Sequence, residues 1–229
     1  MNILCTICAR KGSKGLRNKN IKKLFGKPLI IHTIDQAKKS KIFSKIVVSS
    51  DSKKILKLVK KKVDLTIQRP KKLSKDNSAK VPVVRHALKE AEKFYNTLFH
   101  TVIDLDVTSP LRTKQDIINA KRIFKKDKNS NLISVTKSKK NPYFNMIEII
   151  KNRPQIVKKF EKKILARQQA PKVFELNASI YIWKRNYLLS TNNLFNKKTG
   201  VYFMPENKSV DVDNKLDFQI VEFLMKKKV

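Results

Sequence analysis

Residues Ile3 to Asn20 read ILCTICARKGSKGLRNKN. The first six, Ile3 to Cys8, form a short apolar run that ends in small residues, which predicts a buried first strand. The next twelve residues cannot continue that strand. Gly12 and Gly15 permit tight turns and close backbone approach, and Ser13 adds a hydroxyl. Arg10, Lys11, Lys14, Arg17 and Lys19 place five cations in the twelve residues from Ala9 to Asn20, with no acid among them. A cationic, glycine-containing loop leaving a strand suits a polyphosphate. Its N–H groups form a nest for oxygens, and Lys and Arg neutralise the charge. The loop lacks both the Walker A pattern G-x-x-x-x-G-K-[ST] and the dinucleotide fingerprint G-x-G-x-x-G. The bland alternative is a solvated basic turn in a lysine-rich chain.

Outward from this loop, strands and helices alternate. Pro28 to Lys39 carries apolar residues at helical spacing behind an initial proline, which predicts a helix. Lys45 to Ser50 reads as a second strand, with Asp51 expected to cap a helix running to Lys60. Val63 to Ile67 reads as a third strand, Val81 to Tyr95 as a helix and Thr101 to Leu105 as a central strand. Thr113 is expected to cap a helix ending near Lys126, before a strand over Asn131 to Thr136. This βαβ order predicts a parallel sheet covered on both faces. Lys137 to Val173 is polar, with short β-like pieces, and reads as a protruding arm. Asn177 to Trp183 returns to the sheet, Gly200 to Met204 adds a strand, and Lys215 to Lys227 closes the chain with an amphipathic helix.

Composition limits the function classes. The 229 residues suit one α/β domain, and 41% hydrophobic content supports a core. No apolar run is long enough for a membrane helix. The N-terminus lacks a basic n-region, so a cytoplasmic protein is expected. Cys5 and Cys8 sit on the predicted strand and read as small core residues, not as a redox or metal pair. Formal net charge is +35. The lysines are spread over every segment and arginine is scarce, so no specific nucleic-acid partner is expected; the surplus reads as solvated surface that favours anionic substrates.

Ligands of open α/β sheets bind beyond the carboxyl ends of the strands. Arg10 to Lys19, Arg69, and Asp106 to Arg112 all come after predicted strands. Near the C-terminus, Asp211 and Asp213 stand two apart in SVDVDN. In extended backbone both face one side, and paired carboxylates suit Mg²⁺ beside phosphates. The alternative is a surface turn ahead of the last helix. Only 18 acids occur in the chain, which favours the functional reading.

Taken in order, several segments resemble the acylneuraminate cytidylyltransferases, the CMP-sialic acid synthetase family. These are the loop Ala9–Asn20, Arg69-Pro70, Leu105-Asp106-Val107-Thr108-Ser109-Pro110-Leu111-Arg112, Arg167-Gln168-Gln169, Asn177-Ala178-Ser179-Ile180-Tyr181 and Asp211-Val212-Asp213. The resemblance spans almost the whole chain. It implies a Rossmann-like nucleotidyltransferase: a three-layer α/β sandwich with a mostly parallel sheet. Residues 1–229 would form one cytidylyltransferase domain, with 137–173 as an inserted arm that makes a homodimer. The implied reaction joins CTP to a nonulosonic acid, giving a CMP-sugar and pyrophosphate.

The resemblance also assigns roles. Ala9, Arg10, Gly12, Ser13, Lys14, Lys19, Asn20 and Arg69 would bind the nucleotide. Asp106, Thr108, Ser109, Arg112, Arg167, Gln168 and Asn177 would contact the sugar. Asp211 and Asp213 would hold Mg²⁺, with Mn²⁺ as a substitute, and would act with Arg10 and Lys19 in catalysis. The chain departs from the usual pattern twice. Asp106-Val107 stands where many members carry Gln-Pro, and Glu175-Leu176-Asn177-Ala178 where Arg-Pro-Asn-Gly is usual. Both departures fall on the sugar side and point to the branch that activates legionaminic acid. The alternatives are a related nucleotidyltransferase for another sugar acid and, in a different class, a basic nucleic-acid-binding module.

Overall fold

The apolar run Ile3–Cys8 forms strand β1 of a seven-stranded sheet. Its side chains alternate between two cores: Ile3, Cys5 and Ile7 enter one, Leu4 the other. The structure, a computed structural model, describes residues 2–12, 15–160 and 165–227. After the cationic loop, a small hairpin of β2 (Lys23–Leu24) and β3 (Lys27–Pro28) leads into α1 (Leu29–Ser40). The chain continues through β4 (Lys45–Ser50), α2 (Lys53–Val59), β5 (Leu65–Gln68), α3 (Lys80–Tyr95), β6 (Thr101–Leu105), α4 (Lys114–Lys126) and β7 (Asn131–Lys137). A second hairpin, β8 (Ile147–Ile150) and β9 (Arg153–Ile156), precedes β10 (Phe174–Lys184), α5 (Arg185–Ser190), β11 (Thr199–Phe203) and α6 (Lys215–Lys226).

The sheet order is β11-β7-β10-β6-β1-β4-β5. Only β10 opposes its neighbours, pairing antiparallel with β6 and β7; the other pairs are parallel. Helices α1, α2, α4 and α6 bury Ile30, Ile55, Ile117 and Phe218 on one face, while α3 and α5 bury Val84 and Leu188 on the other. The sheet is therefore the middle of three layers, as read from the sequence.

Two local expectations are refined and one is met. Ser52, not Asp51, caps α2, its hydroxyl accepting from the Ile55 N–H; Asp51 instead accepts from the Lys11 N–H at 2.7 Å. Thr113 does cap α4, in a reciprocal box with Asp116. Strand β10 is longer than expected, and its register shifts between Leu176 and Tyr181, where Ala178 adopts a φ of 50°. Within the arm, β8 and β9 pair only with each other, and every residue of both is exposed.

Candidate active site

A cleft of about 770 Å³ opens beyond the carboxyl ends of β1, β5 and β6. One wall is the cationic loop. Ala9, buried at the end of β1, donates its N–H to the Ser49 carbonyl at 3.0 Å. Asn20, also buried, donates to the Arg10 carbonyl at 2.9 Å and so ties the loop's far end to its start. Arg10 and Lys19 face the cleft. Arg10 pairs with Asp76, and the Lys19 Nζ lies 2.9 Å from an Asp213 carboxylate oxygen. Ser13 and Lys14 lie outside the described residues. The two glycines differ. A Cβ on Gly12 would meet nothing within 4 Å, whereas a Cβ on Gly15 would stand 2.3 Å from the Asp213 carbonyl oxygen. Gly15 is thus the position where the loop needs close backbone approach.

The adjoining wall is the segment Asp211-Val212-Asp213, which the loop meets at Gly15 and Lys19. Val212 is fully buried and donates its N–H to the Thr108 carbonyl at 2.9 Å. That anchor turns both flanking carboxylates into the cleft, which they line. Asp211 is pushed up to about 6, first by burial and then by the charge of Asp106, against the Thr108 hydroxyl. Its Oδ1 is buried without a hydrogen-bond partner among the described residues. An orphaned carboxylate oxygen beside a second acid fits a cation chemically. Among the described residues no group of three or more His, Cys, Asp or Glu surrounds a metal position, so any fit rests on this pair together with ligand oxygens.

The floor carries a residue that the sequence reading missed. Lys80, the first residue of α3, places its Nζ 3.0 Å from Asp104 and 2.8 Å from Asp106. The same ammonium lies 4.6 Å above the centre of the Tyr181 ring. Burial alone would lower the lysine's pKa, but the two carboxylates outweigh it and hold it well above the usual value. Asp106 is held below the ordinary carboxylate range: burial opposes this, and Lys80 and Thr108 overcome it. Its Oδ1 accepts from both the N–H and the hydroxyl of Thr108, at 3.3 and 3.1 Å. Cys8 also lines the cleft, its thiol pushed far up by burial and by Asp104, so it behaves as a packed sulfhydryl.

Of the expected nucleotide residues, Arg69 reaches the cleft but is buried, its guanidinium donating to the Ser49 carbonyl at 2.7 Å and to the Ser49 hydroxyl. Of the expected sugar residues, Asp106 and Thr108 line the cleft. Ser109, Arg112 and Asn177 are not among the residues that line it. Ser109 is fully buried and donates to the Asn177 carbonyl. Arg112 is 2% exposed and spends its guanidinium on the carbonyls of Asp106 and Ser179 and on Gln36. Asn177 sits at the β10 irregularity, accepting from the Ser134 hydroxyl at 2.7 Å and donating to Ser209. All three brace the strand ends beneath the site. Arg167 and Gln168 line a separate cavity of about 590 Å³ at the base of the arm, where Arg167 donates to the Lys139 carbonyl.

Comparison with known proteins gives these features a context. Residues 4–226 match the family described as Cytidylyltransferase. The chain is 46% identical over 227 residues to the post-translational flagellin modification protein B of Campylobacter coli, covering 99% of this chain and 96% of that protein. It is likewise 46% identical over 224 residues to the CMP-N,N'-diacetyllegionaminic acid synthase of Campylobacter jejuni, covering 97% and 94%. A solved structure of CMP:2-keto-3-deoxy-manno-octonic acid synthetase complexed with CTP superposes with a TM-score of 0.72 over the full length of both chains, at 14% identity, and so shares the fold. A sheet with helices on both faces, a cationic loop at its carboxyl edge and the match over residues 4–226 agree: the chain belongs to the cytidylyltransferase family.

Proposed function

We propose that the protein activates a nonulosonic acid with CTP, releasing pyrophosphate and a CMP-sugar, and that the acid is of the legionaminic type. The observation that carries this reading is one cleft lined together by Arg10, Lys19, Asp211 and Asp213, with Lys19 in contact with Asp213. The named Campylobacter jejuni synthase supports the choice of sugar. Arg10 and Lys19 exchange their carboxylate partners for the β- and γ-phosphates, orienting pyrophosphate as the leaving group. The sugar's anomeric hydroxyl gives up its proton to solvent as its oxygen bonds to the α-phosphorus, and the bond from that phosphorus to the bridging oxygen of pyrophosphate breaks. Asp211 and Asp213 would hold a divalent cation, Mg²⁺ or Mn²⁺, which supplies charge neutralisation at phosphate oxygens. Asp106, already engaged by Lys80 and Thr108, faces the sugar side as part of a compensated cluster.

The arm is read as the seam of a homodimer. Ile147, Ile149, Val157, Phe160 and Leu165 are all exposed, and Arg167 stands at the arm's base. Sedimentation at micromolar concentration is expected to give a dimer, and a variant lacking 144–160 a monomer; a monomeric full chain contradicts the seam. A reaction that consumes CTP fits a cytoplasmic protein. Among the described residues no helix is long and apolar enough to cross a membrane.

Ligand-induced melting tests the nucleotide assignment. CTP with Mg²⁺ is expected to raise the melting temperature, more than UTP or ATP at equal concentration. Bulk DNA is expected to act only at low salt. Equal shifts with all three nucleotides would remove the assignment to CTP.

A further inference from the structure

Lys80 breaks a local rule. It is the first residue of α3, at the positive end of the helix dipole, and Ala79 before it provides no side-chain cap. Nothing within the helix accounts for a cation there; the account lies across the floor of the cleft. Asp104 is fully buried, with one carboxylate oxygen on the Thr6 hydroxyl at 2.7 Å and the other on Lys80 at 3.0 Å. Asp106 has one oxygen on Thr108 and the other on Lys80 at 2.8 Å. Both acids therefore have each oxygen engaged, and a single ammonium joins them. Asp211 contrasts with them, since its Oδ1 has no partner among the described residues.

We propose that Lys80 is a positioning residue for the transfer: by clamping Asp106 against Thr108 and compensating Asp104, it leaves Asp211 as the cleft carboxylate open to substrate-bound charge. This role rests on the proposed reaction, although the clamp itself can be tested without it. Loss of the ammonium leaves two neighbouring acids without their common counter-ion. Asp106 is then free to turn into the cleft, against anionic substrates. The Lys80 ammonium is engaged by both carboxylates, so the role assigned to it is to hold them.

The experiment compares the wild-type full chain with Lys80→Met, Lys80→Arg and the double variant Lys80→Met/Asp104→Asn. Steady-state pyrophosphate release with CTP, sugar acid and Mg²⁺, melting temperature and a crystal structure of the double variant are measured. Lys80→Met is expected to lose about 10²-fold in kcat, with the KM for CTP changed far less, because the loss is one of placement. Lys80→Arg restores charge, and partial recovery of kcat is expected. If Lys80→Met proves unstable, the double variant decides, since it removes one charge of each sign. Recovered melting temperature with kcat still depressed, and Asp106 turned away from Thr108 in the crystal, support positioning. A double variant within about threefold of wild-type kcat, or with Asp106 unmoved, overturns it and leaves Lys80 a structural counter-ion. An inactive wild-type chain would refute the proposed reaction instead, while the Asp106 geometry still decides the clamp.

Discussion

Gly15→Ala tests how tightly the phosphate loop and the acid pair are coupled. The added Cβ would lie 2.3 Å from the Asp213 carbonyl oxygen and 3.2 Å from its carbonyl carbon. Ordinary contact begins near 3.4 Å, so the overlap is roughly 1 Å. The obstructing atoms are backbone, in a segment anchored by the Val212 N–H on Thr108, and cannot swing aside as a side-chain tip would. The loop and the Asp211–Asp213 segment must therefore move apart by about 1 Å, a misplacement that can reduce turnover about 10²-fold, or about 2.7 kcal/mol of transition-state stabilisation. Gly15 is exposed and contributes nothing to either core, so the melting temperature is expected to stay within a few degrees of wild type. The assay is kcat/KM by pyrophosphate release at saturating sugar acid, paired with thermal unfolding. Wild-type turnover in Gly15→Ala would refute the claim that this close approach sets the site.

Arg10→Ala and Lys19→Ala are each expected to lose at least about 10²-fold in kcat/KM while folding normally, by analogy with the removal of one preorganised charge-stabilising donor; near-normal rates in both would detach the loop from phosphate binding. Asp211→Asn is expected to have opposite effects on stability and activity. The carboxyl of Asp211 is raised to about 6 from 3.8, so the folded state binds that proton more tightly than the unfolded state does. Stability therefore falls as pH rises from about 4 to about 6, and at neutral pH the buried charge costs no more than about 3 kcal/mol. The Asn variant is expected to melt higher than wild type at pH 7.5, to converge with it near pH 4, and to lose turnover together with the stabilisation that Mg²⁺ gives wild type. A lower melting temperature at pH 7.5, or unchanged stabilisation by Mg²⁺, would contradict this.

Much of the fold was legible because its periodicities are local. Ile3–Cys8, Lys45–Ser50 and Thr101–Leu105 are apolar runs bounded by turns, and the strands fall on those residues. Thr113 with Asp116 is a cap readable three residues apart. The alternation around Val212 is likewise a property of extended backbone. What the sequence hid depends on distant partners. Arg112 comes after a strand, as a ligand contact would, and its guanidinium donates to the carbonyl of Ser179, 67 residues away. Asn177 carries a suitable polar group but spends it on Ser134 and Ser209. Lys80 looked like one lysine among many, and its role depends on Asp104 and Asp106, brought beneath it by β6. The usable signal was its place at a helix N-terminus, where a cation is locally unfavourable. Asp51 is a suitable cap by type, but it accepts from the Lys11 N–H, 40 residues away, and Ser52 caps the helix.

The central claim is tested most directly by pyrophosphate release from the purified full chain, with CTP and Mg²⁺, over a panel containing N,N'-diacetyllegionaminic acid, N-acetylneuraminic acid and an eight-carbon keto-deoxy sugar acid. The account predicts turnover that requires CTP and is highest in kcat/KM with the legionaminic acid, because a pocket matched to its methyl and acylamino groups leaves polar atoms unpaired with the others. Preference for N-acetylneuraminic acid would overturn the choice of sugar, and absence of pyrophosphate with every member of the panel would contradict the account itself.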